Sequence, residues 1–389
     1  MMTVREYEKI FADECAAFDE LSKFVEAGEF LSLGWQRNRG AFVQAKNFVG
    51  VIHLPNGFQI EILPKIDALE DKLRGLVVEM IRTLKNFAGK KFLNASLDTA
   101  RLPLHEIFIR IYLEMVLELV KRGLKSSYVL REDNLKIFKG KLLVGENLRR
   151  NFVHREKFFV AFDEYSLGRP EHRLIKSTLT KIFHTTRDNK NFRLATRLIA
   201  DFDSVKASSN YRKDFAKVFI DRQNHDYKAV MEWTKIFLAD ESFTSFAGKS
   251  SAAALLFPME KLFEAYVAAH VRKNFSDARF NVKTQAQEKF LFDAPRSFGL
   301  KPDILIEGDE KIIMDTKWKF EISSGDMYQM FAYAKRYGVK KIFILCPPQV
   351  NGNIFYRVED LGVKIFGIDL FDMNAAMKNL LAEVMTFRA

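Results

Sequence analysis

The final third of this 389-residue chain predicts an α/β unit in which helices flank a mixed sheet. Two observations carry that expectation. Two apolar runs, Ile304–Ile306 and Ile312–Met314, flank Glu307–Lys311, a polar segment holding Gly308, as in a β-hairpin. Around them, helices are expected at 258–273 and 325–337, with strands from about 280–293, 302–306, 311–318 and 340–346. A strand pair near 353–357 and 363–367 and a helix near 372–386 complete residues 251–389.

The hairpin also gathers charge. With its turn centred on Asp309, Asp303 lies across from Asp315, and opposite residues of an antiparallel pair have Cβ atoms about 4.5–5.5 Å apart. Side chains alternate along a strand, so Asp315, Lys317 and Lys319 share one face while Thr316 and Trp318 take the other. Two carboxylates and an ammonium converge, which suits a divalent cation. Mg²⁺ takes oxygen ligands, often only one or two carboxylates together with waters and a substrate phosphate. A bound metal makes water a better nucleophile and stabilises charge on phosphate. Lys317 would orient or deprotonate the attacking water, or offset charge in the transition state. A solvated surface hairpin carries the same Asp-X-Lys, so the tripeptide alone does not separate the two readings.

More than the tripeptide is present. Pro302-Asp303…Asp315-Thr316-Lys317 resembles the signature of the PD-(D/E)XK nucleases. Glu264 stands in an upstream helix where that superfamily places a further acid. It is preferred to Glu260, because Phe263-Glu264-Ala265-Tyr266-Val267 looks more like the superfamily's helix. Gln329…Tyr333 is similar to the Gln-x-x-x-Tyr helix of its RecB-like branch, although packing and capping would use the same pair. The resemblance implies a restriction-endonuclease-like core with Asp303, Asp315, Lys317, Glu264 and Gln329 as catalytic residues. It also implies Mg²⁺, with Mn²⁺ as a substitute, on Asp303, Asp315, Glu264 and the Thr316 carbonyl.

Bulk properties set the context. Hydrophobic residues make up 48% of the chain, enough for real cores, and the length suits two or three domains. No run of 18 uncharged apolar residues suggests a membrane span. Met1–Glu8 has no apolar signal-peptide core. Cys15 and Cys346 are far apart and match no metal spacing, so a reducing, cytoplasmic setting is the default expectation. Of the net charge of +11, only +2 falls in residues 251–389, whereas residues 121–160 alone carry +7. Bulk attraction to DNA phosphates is therefore weak in the last third. Either the amino-terminal part holds DNA, or it docks on an acidic partner that does.

Upstream, Thr3–Ala27 reads as a polar helix with apolar residues at Ile10, Phe11, Cys15 and Phe18. Strands follow at Phe42–Gln44, Phe48–Leu54 and Gln59–Leu63, with an Asn56-Gly57 pair of the kind type I′ turns favour. Leu69–Phe87 and Glu106–Leu124 have helical spacing, and further helices are expected near 170–187, 189–204 and 208–239. Basic and aromatic residues interleave over Lys136–Lys141 and Leu148–Phe159, which suits nucleic acid and equally a hairpin with its Phe turned inward. Ser, Thr, Gly and Ala gather over Asp240–Ser251, the expected linker. Gly248-Lys249-Ser250 resembles the end of a phosphate-binding loop, but position 243 is Phe where that loop needs glycine. No dinucleotide-binding glycine pattern, His-Glu-x-x-His or nucleophile elbow is present.

Short motifs in the amino-terminal half narrow the family. Gly50–Leu54, Ile60-Glu-Ile-Leu-Pro-Lys-Ile66, Arg122-Gly-Leu124 with Tyr128, Lys139–Leu142, Asp163–Tyr165 and Glu171–Lys176 resemble the McrC family. That resemblance implies the nuclease subunit of a McrBC-type restriction system, acting on modified double-stranded DNA. It implies a hexameric AAA+ GTPase partner of the McrB kind, stimulated through the amino-terminal region; Arg149, Arg150 and Arg155 are candidates by charge and position. The expected division is a β-containing partner-binding domain over 1–160, a helical connector over 161–250 and a nuclease domain over 251–389 able to fold alone. Two alternatives remain at this level: a stand-alone DNA repair or processing nuclease, and a non-enzymatic adaptor whose hairpin is a relic.

Overall fold

In a computed structural model of the chain, the residues described are 1–26, 30–54, 56–84, 102–222, 224–239, 253–276, 280–286, 289–348 and 354–387. They form two compact units, residues 1–101 with 256–389, and residues 102–255. Residues 1–101 thus group with the carboxyl-terminal third rather than with 102–160. The linker expected at Asp240–Ser251, including Gly248-Lys249-Ser250, lies outside the described residues.

The first unit opens with β1 (Met2–Arg5), β2 (Lys9–Phe11), α1 (Phe18–Glu26), β3 (Leu31–Gln36), β4 (Gly40–Ala45), β5 (Phe48–His53), β6 (Gln59–Leu63) and α2 (Glu70–Thr83). The single helix expected over Thr3–Ala27 is corrected: only Phe18–Glu26 is helical. Val4 sits in a strand parallel to β6, with Met2 opposite Ile60, and Ile10 in one antiparallel to β4. Long-range pairing of a buried strand outweighs local periodicity there. At the β5–β6 turn, Leu54 N donates to Phe58 O at 2.9 Å and Gly57 has φ +81°. Asn56 is not left-handed, so the turn is not the type I′ that its sequence favours. α2 is tied to β6 by Arg74, whose guanidinium meets Glu61 at 2.7 Å.

The second unit holds α3 (Leu104–Lys121), β7 (Ser127–Leu135), β8 (Lys141–Leu142), α4 (Val144–Arg150), β9 (Phe158–Ser166), α5 (Pro170–Thr185), α6 (Asn189–Asp201), α7 (Tyr211–Lys217) and α8 (Tyr227–Ala239). Its helical core is aromatic, built on Phe108, Tyr112, Phe202 and Trp233. The expected helix at 208–239 is two helices, separated where Asp221 and Asn224 exchange backbone-to-side-chain hydrogen bonds. The basic–aromatic stretch is only partly buried. Phe159 is buried on β9, while Ile137, Phe138, Phe152 and Val153 are exposed. Arg149 and Arg150 both pair with Glu146 at 2.9 Å.

The chain re-enters the first unit through β10 (Ala253–Pro258) and α9 (Met259–Phe275), and continues with β11 (Asn281–Thr284), β12 (Lys289–Asp293), β13 (Arg296–Leu300), β14 (Ile304–Glu307) and β15 (Lys311–Thr316). It ends with α10 (Ser324–Tyr337), β16 (Lys341–Cys346), β17 (Phe355–Val358), β18 (Leu361–Gly367) and α11 (Met373–Thr386). One six-stranded sheet has the order β11-β14-β15-β16-β18-β17. β15, β16 and β18 are parallel and buried along nearly their whole length, as strands covered on both faces are. This is the mixed α/β sheet the sequence predicts. The strand expected over 280–293 is corrected: it is divided, and among the described residues β12 pairs only with β13, in a separate two-stranded hairpin.

Candidate active site

In open α/β sheets, ligands bind beyond the carboxyl ends of the parallel strands, and the candidate site lies at that end of β15. Ile304 opposes Met314 and Glu307 opposes Lys311. Continuing that register by one residue sets Asp303 opposite Asp315, as the centre at Asp309 predicts. Asp303 Oδ2 accepts two hydrogen bonds from Thr316, from the backbone N at 2.7 Å and the hydroxyl at 2.6 Å. Lys317 prolongs β15 by donating its N–H to Leu345 O. Its Nζ forms an ion pair with Asp315 Oδ2 at 2.8 Å.

α10 supplies the opposite wall. Asp326, Gln329 and Tyr333 recur at spacings of three and four and so share one helix face. Gln329 Oε1 accepts from Lys317 Nζ at 2.9 Å, and its amide donates to the Tyr333 hydroxyl at 2.9 Å. Tyr333 in turn donates to Lys301 O, two residues before Asp303. Gln329 and Tyr333 therefore brace the site. Asp326, unremarked in the sequence, closes a capping box with Ser323 and accepts from Lys319 Nζ at 3.0 Å. It also lies 3.7 Å from Lys317 Nζ. Its signal was legible as Ser323-x-x-Asp326, a helix-start pattern that says nothing about Lys317.

Glu264 is placed differently. Gln285 Nε2 donates to its Oε1 at 2.6 Å, while Gln285 N donates to the Asp303 carbonyl at 2.8 Å. Glu264 is thus linked to the Asp303 strand through Gln285, a residue with no sequence signal beyond its position. Among the described residues, no group of three or more His, Cys, Asp or Glu is arranged to hold a metal ion. The convergent acids are the pair Asp303 and Asp315.

Burial and neighbouring charge set the protonation of these groups. Burial raises the pKa of Asp315, and the neighbouring Asp303 carboxylate raises it further. Burial also raises Asp303, against the two Thr316 hydrogen bonds. Glu264 is raised by burial and then by Asp303. For Lys317, burial opposes the charge, but Asp315, Asp326 and Asp303 outweigh it and hold the ammonium protonated. Two buried carboxylates brought together at a cost in charge, with Lys317 the ammonium nearest to Asp315, are a donor set that fits a hard cation.

A prediction follows for the metal-free protein. All three acids take up protons more readily folded than unfolded, so the stability they contribute is fully present below the unfolded carboxylate pKa, about 4. It is lost as pH rises through the raised folded values. Thermal unfolding in EDTA should show Tm falling from pH 5 to pH 8, with a shallower fall in Asp303→Asn. Equal slopes for the two proteins would show that this pair is not a source of the dependence.

An α/β sheet with an acid pair and a braced lysine at the end of its parallel strands defines the class of fold. The family model described as "McrBC 5-methylcytosine restriction system component" matches residues 43–348. This chain belongs to that family. Two solved structures, each 18% identical in sequence, share its fold. A chain of the half-complex from the tetradecameric assembly of Thermococcus gammatolerans McrB AAA+ hexamers with bound McrC aligns with TM-score 0.69, covering 99% of this chain and 100% of that one. A chain of the cryo-EM structure of the Thermococcus gammatolerans McrBC complex aligns with TM-score 0.50, covering 70% and 88% respectively. No curated protein matches. Among the described residues, no helix is long and apolar enough to cross a membrane.

Proposed function

We propose that this chain is the McrC-like endonuclease subunit of a restriction complex, a Mg²⁺-dependent enzyme of the PD-(D/E)XK type that cleaves DNA phosphodiester bonds. The observation that carries the reading is the set Asp303, Asp315, Lys317 and Gln329, brought together by one hairpin and one helix. Asp303, Asp315 and the Thr316 carbonyl would hold Mg²⁺ or Mn²⁺, with Glu264 joining once it leaves Gln285. When bound, the ion lowers the pKa of water and offsets charge on the phosphate. Lys317, kept charged by its acidic neighbours, donates to a phosphate oxygen or steadies the attacking water, and does not serve as the base. Gln329 and Asp326 hold that ammonium in place, and Thr316 fixes the Asp303 carboxylate.

A partner is part of the proposal. The structures sharing this fold are named for McrB AAA+ hexamers with bound McrC, so an AAA+ GTPase hexamer is the proposed motor, with modified double-stranded DNA as substrate. Cleavage of 5-methylcytosine plasmid should require this chain, the AAA+ partner, nucleotide and Mg²⁺ or Mn²⁺ together, and EDTA should stop it. Undiminished cleavage in EDTA would reject the metal-dependent nuclease.

A further inference from the structure

The segment just after Lys317 is held from the amino-terminal strands. β15 ends at Thr316, and the last sheet-like hydrogen bond is Lys317 N to Leu345 O. Beyond it side chains still alternate. Lys317 and Lys319 reach Asp326, while Trp318 and Phe320 face away from it. Trp318 Nε1 donates to the Glu6 carboxylate, at 3.2 and 3.1 Å to its two oxygens. The indole also packs on Phe263 of α9 at a ring separation of 5.3 Å. Glu6 accepts from Lys65 N at 3.2 Å, and the Lys65 ammonium lies over the rings of Tyr7 and Phe320, at 4.6 and 4.8 Å. Glu6 is 3% exposed and Trp318 2%. A carboxylate this deep is costly unless its partners use it.

We propose that Glu6 and Lys65 are positioning residues of the nuclease centre, a clamp on Trp318 and Phe320 that sets where Lys317 stands. This inference rests on the nuclease reading above. Pulling Trp318 and Phe320 to one side orients Lys317 and Lys319 to the other, where Asp315, Gln329 and Asp326 receive them. No catalytic contact of Glu6 is implied; it acts through the backbone between Lys317 and Trp318. The groups facing Glu6 are the Lys65 ammonium and N–H, the Trp318 N–H, the Tyr7 hydroxyl and the Glu260 carboxylate of α9. Burial pushes Glu6 up to about 7. The clamp therefore tightens as pH rises through neutrality, when the carboxylate forms and both accepts more strongly and pairs with Lys65.

The test uses the full-length chain with its AAA+ partner and Mg²⁺, and three variants, Glu6→Gln, Trp318→Phe and the double variant. Expected is a loss of cleavage rate of about ten- to a hundredfold in each single variant, the scale of a misplaced group. The Michaelis constant for DNA and the partner's nucleotide turnover should be unchanged. The double variant should lose no more than either single one, since both break one contact. Separately, amide-type ¹H–¹⁵N spectra resolve the three tryptophan indoles. The Trp318 signal, identified by its absence in Trp318→Phe, should titrate near pH 7 and stay fixed in Glu6→Gln. Stability gives the opposite sign: a raised acid costs stability once ionised, so Glu6→Gln should unfold no earlier than wild type at pH 8. Wild-type cleavage by Glu6→Gln and Trp318→Phe, or additive losses in the double variant, would overturn the clamp. Asp303→Asn separates the two levels: if it cleaves normally the nuclease reading fails, whereas if it is inactive and Glu6→Gln is not, only the clamp fails.

Discussion

Lys317→Ala and Asp303→Asn should each abolish most DNA cleavage while leaving the protein folded and the partner's nucleotide turnover near wild type. Removing a group that acts on developing charge costs about 10²–10³-fold in rate, the expectation for Lys317→Ala. Asp303→Asn should cost more, because it removes a ligand charge from the acid pair. Neither change touches the apolar residues of the hairpin, Ile304–Ile306 and Ile312–Met314, which are buried in the sheet. Asp303→Asn relieves carboxylate repulsion and should raise Tm in EDTA at pH 8. Phosphate release and cleavage measured on one preparation separate the roles. A well-folded variant that lost both together would make the hairpin an assembly element instead.

The second large effect concerns folding. Contrary to the expectation from sequence that they fold alone, residues 251–389 by themselves should not form a cooperative native state, although they contain the whole candidate site, because residues 1–101 belong to the same compact unit. α2 packs on α9, and its buried face includes Leu73, Leu76, Val77, Met80 and Ile81. A fragment without residues 1–101 exposes the α9 surface that α2 covers and leaves the Trp318 indole without Glu6. Uncovering several large apolar side chains costs about 1.5–3 kcal/mol each, against a whole-domain stability of about 5–15 kcal/mol. Circular dichroism and thermal unfolding should show a broad transition, sharpened when residues 1–101 are co-expressed. A sharp transition near the full-length Tm would show that the amino-terminal strands are dispensable for the fold.

Local signals carried the carboxyl-terminal third. The hairpin register, α9, α10 and β16 were legible because each is a short-range pattern, and the alternation of Asp315, Lys317 and Lys319 follows from strand geometry alone. What stayed hidden depends on distant partners. β1 looked helical because the periodicity of Thr3–Ala27 contains nothing about Ile60 and Ile62, which it pairs beside. Glu6 had no sequence signal, since its bond to Trp318 spans 312 positions. Gln285, which occupies Glu264, is invisible for the same reason. Asp326 was readable as a cap but not as a neighbour of Lys317, a relation that exists only once α10 packs beside β16.

The most direct test is where the metal binds. Crystals soaked in Mn²⁺ and measured for anomalous scattering should give a peak bounded by the Asp303 and Asp315 carboxylates, weakened or lost in Asp303→Asn. Displacement of Gln285 from Glu264 in the same map would complete the ligand set. A Mn²⁺ peak elsewhere, with Asp303 and Asp315 unliganded, would contradict the assignment of this hairpin as the nuclease centre.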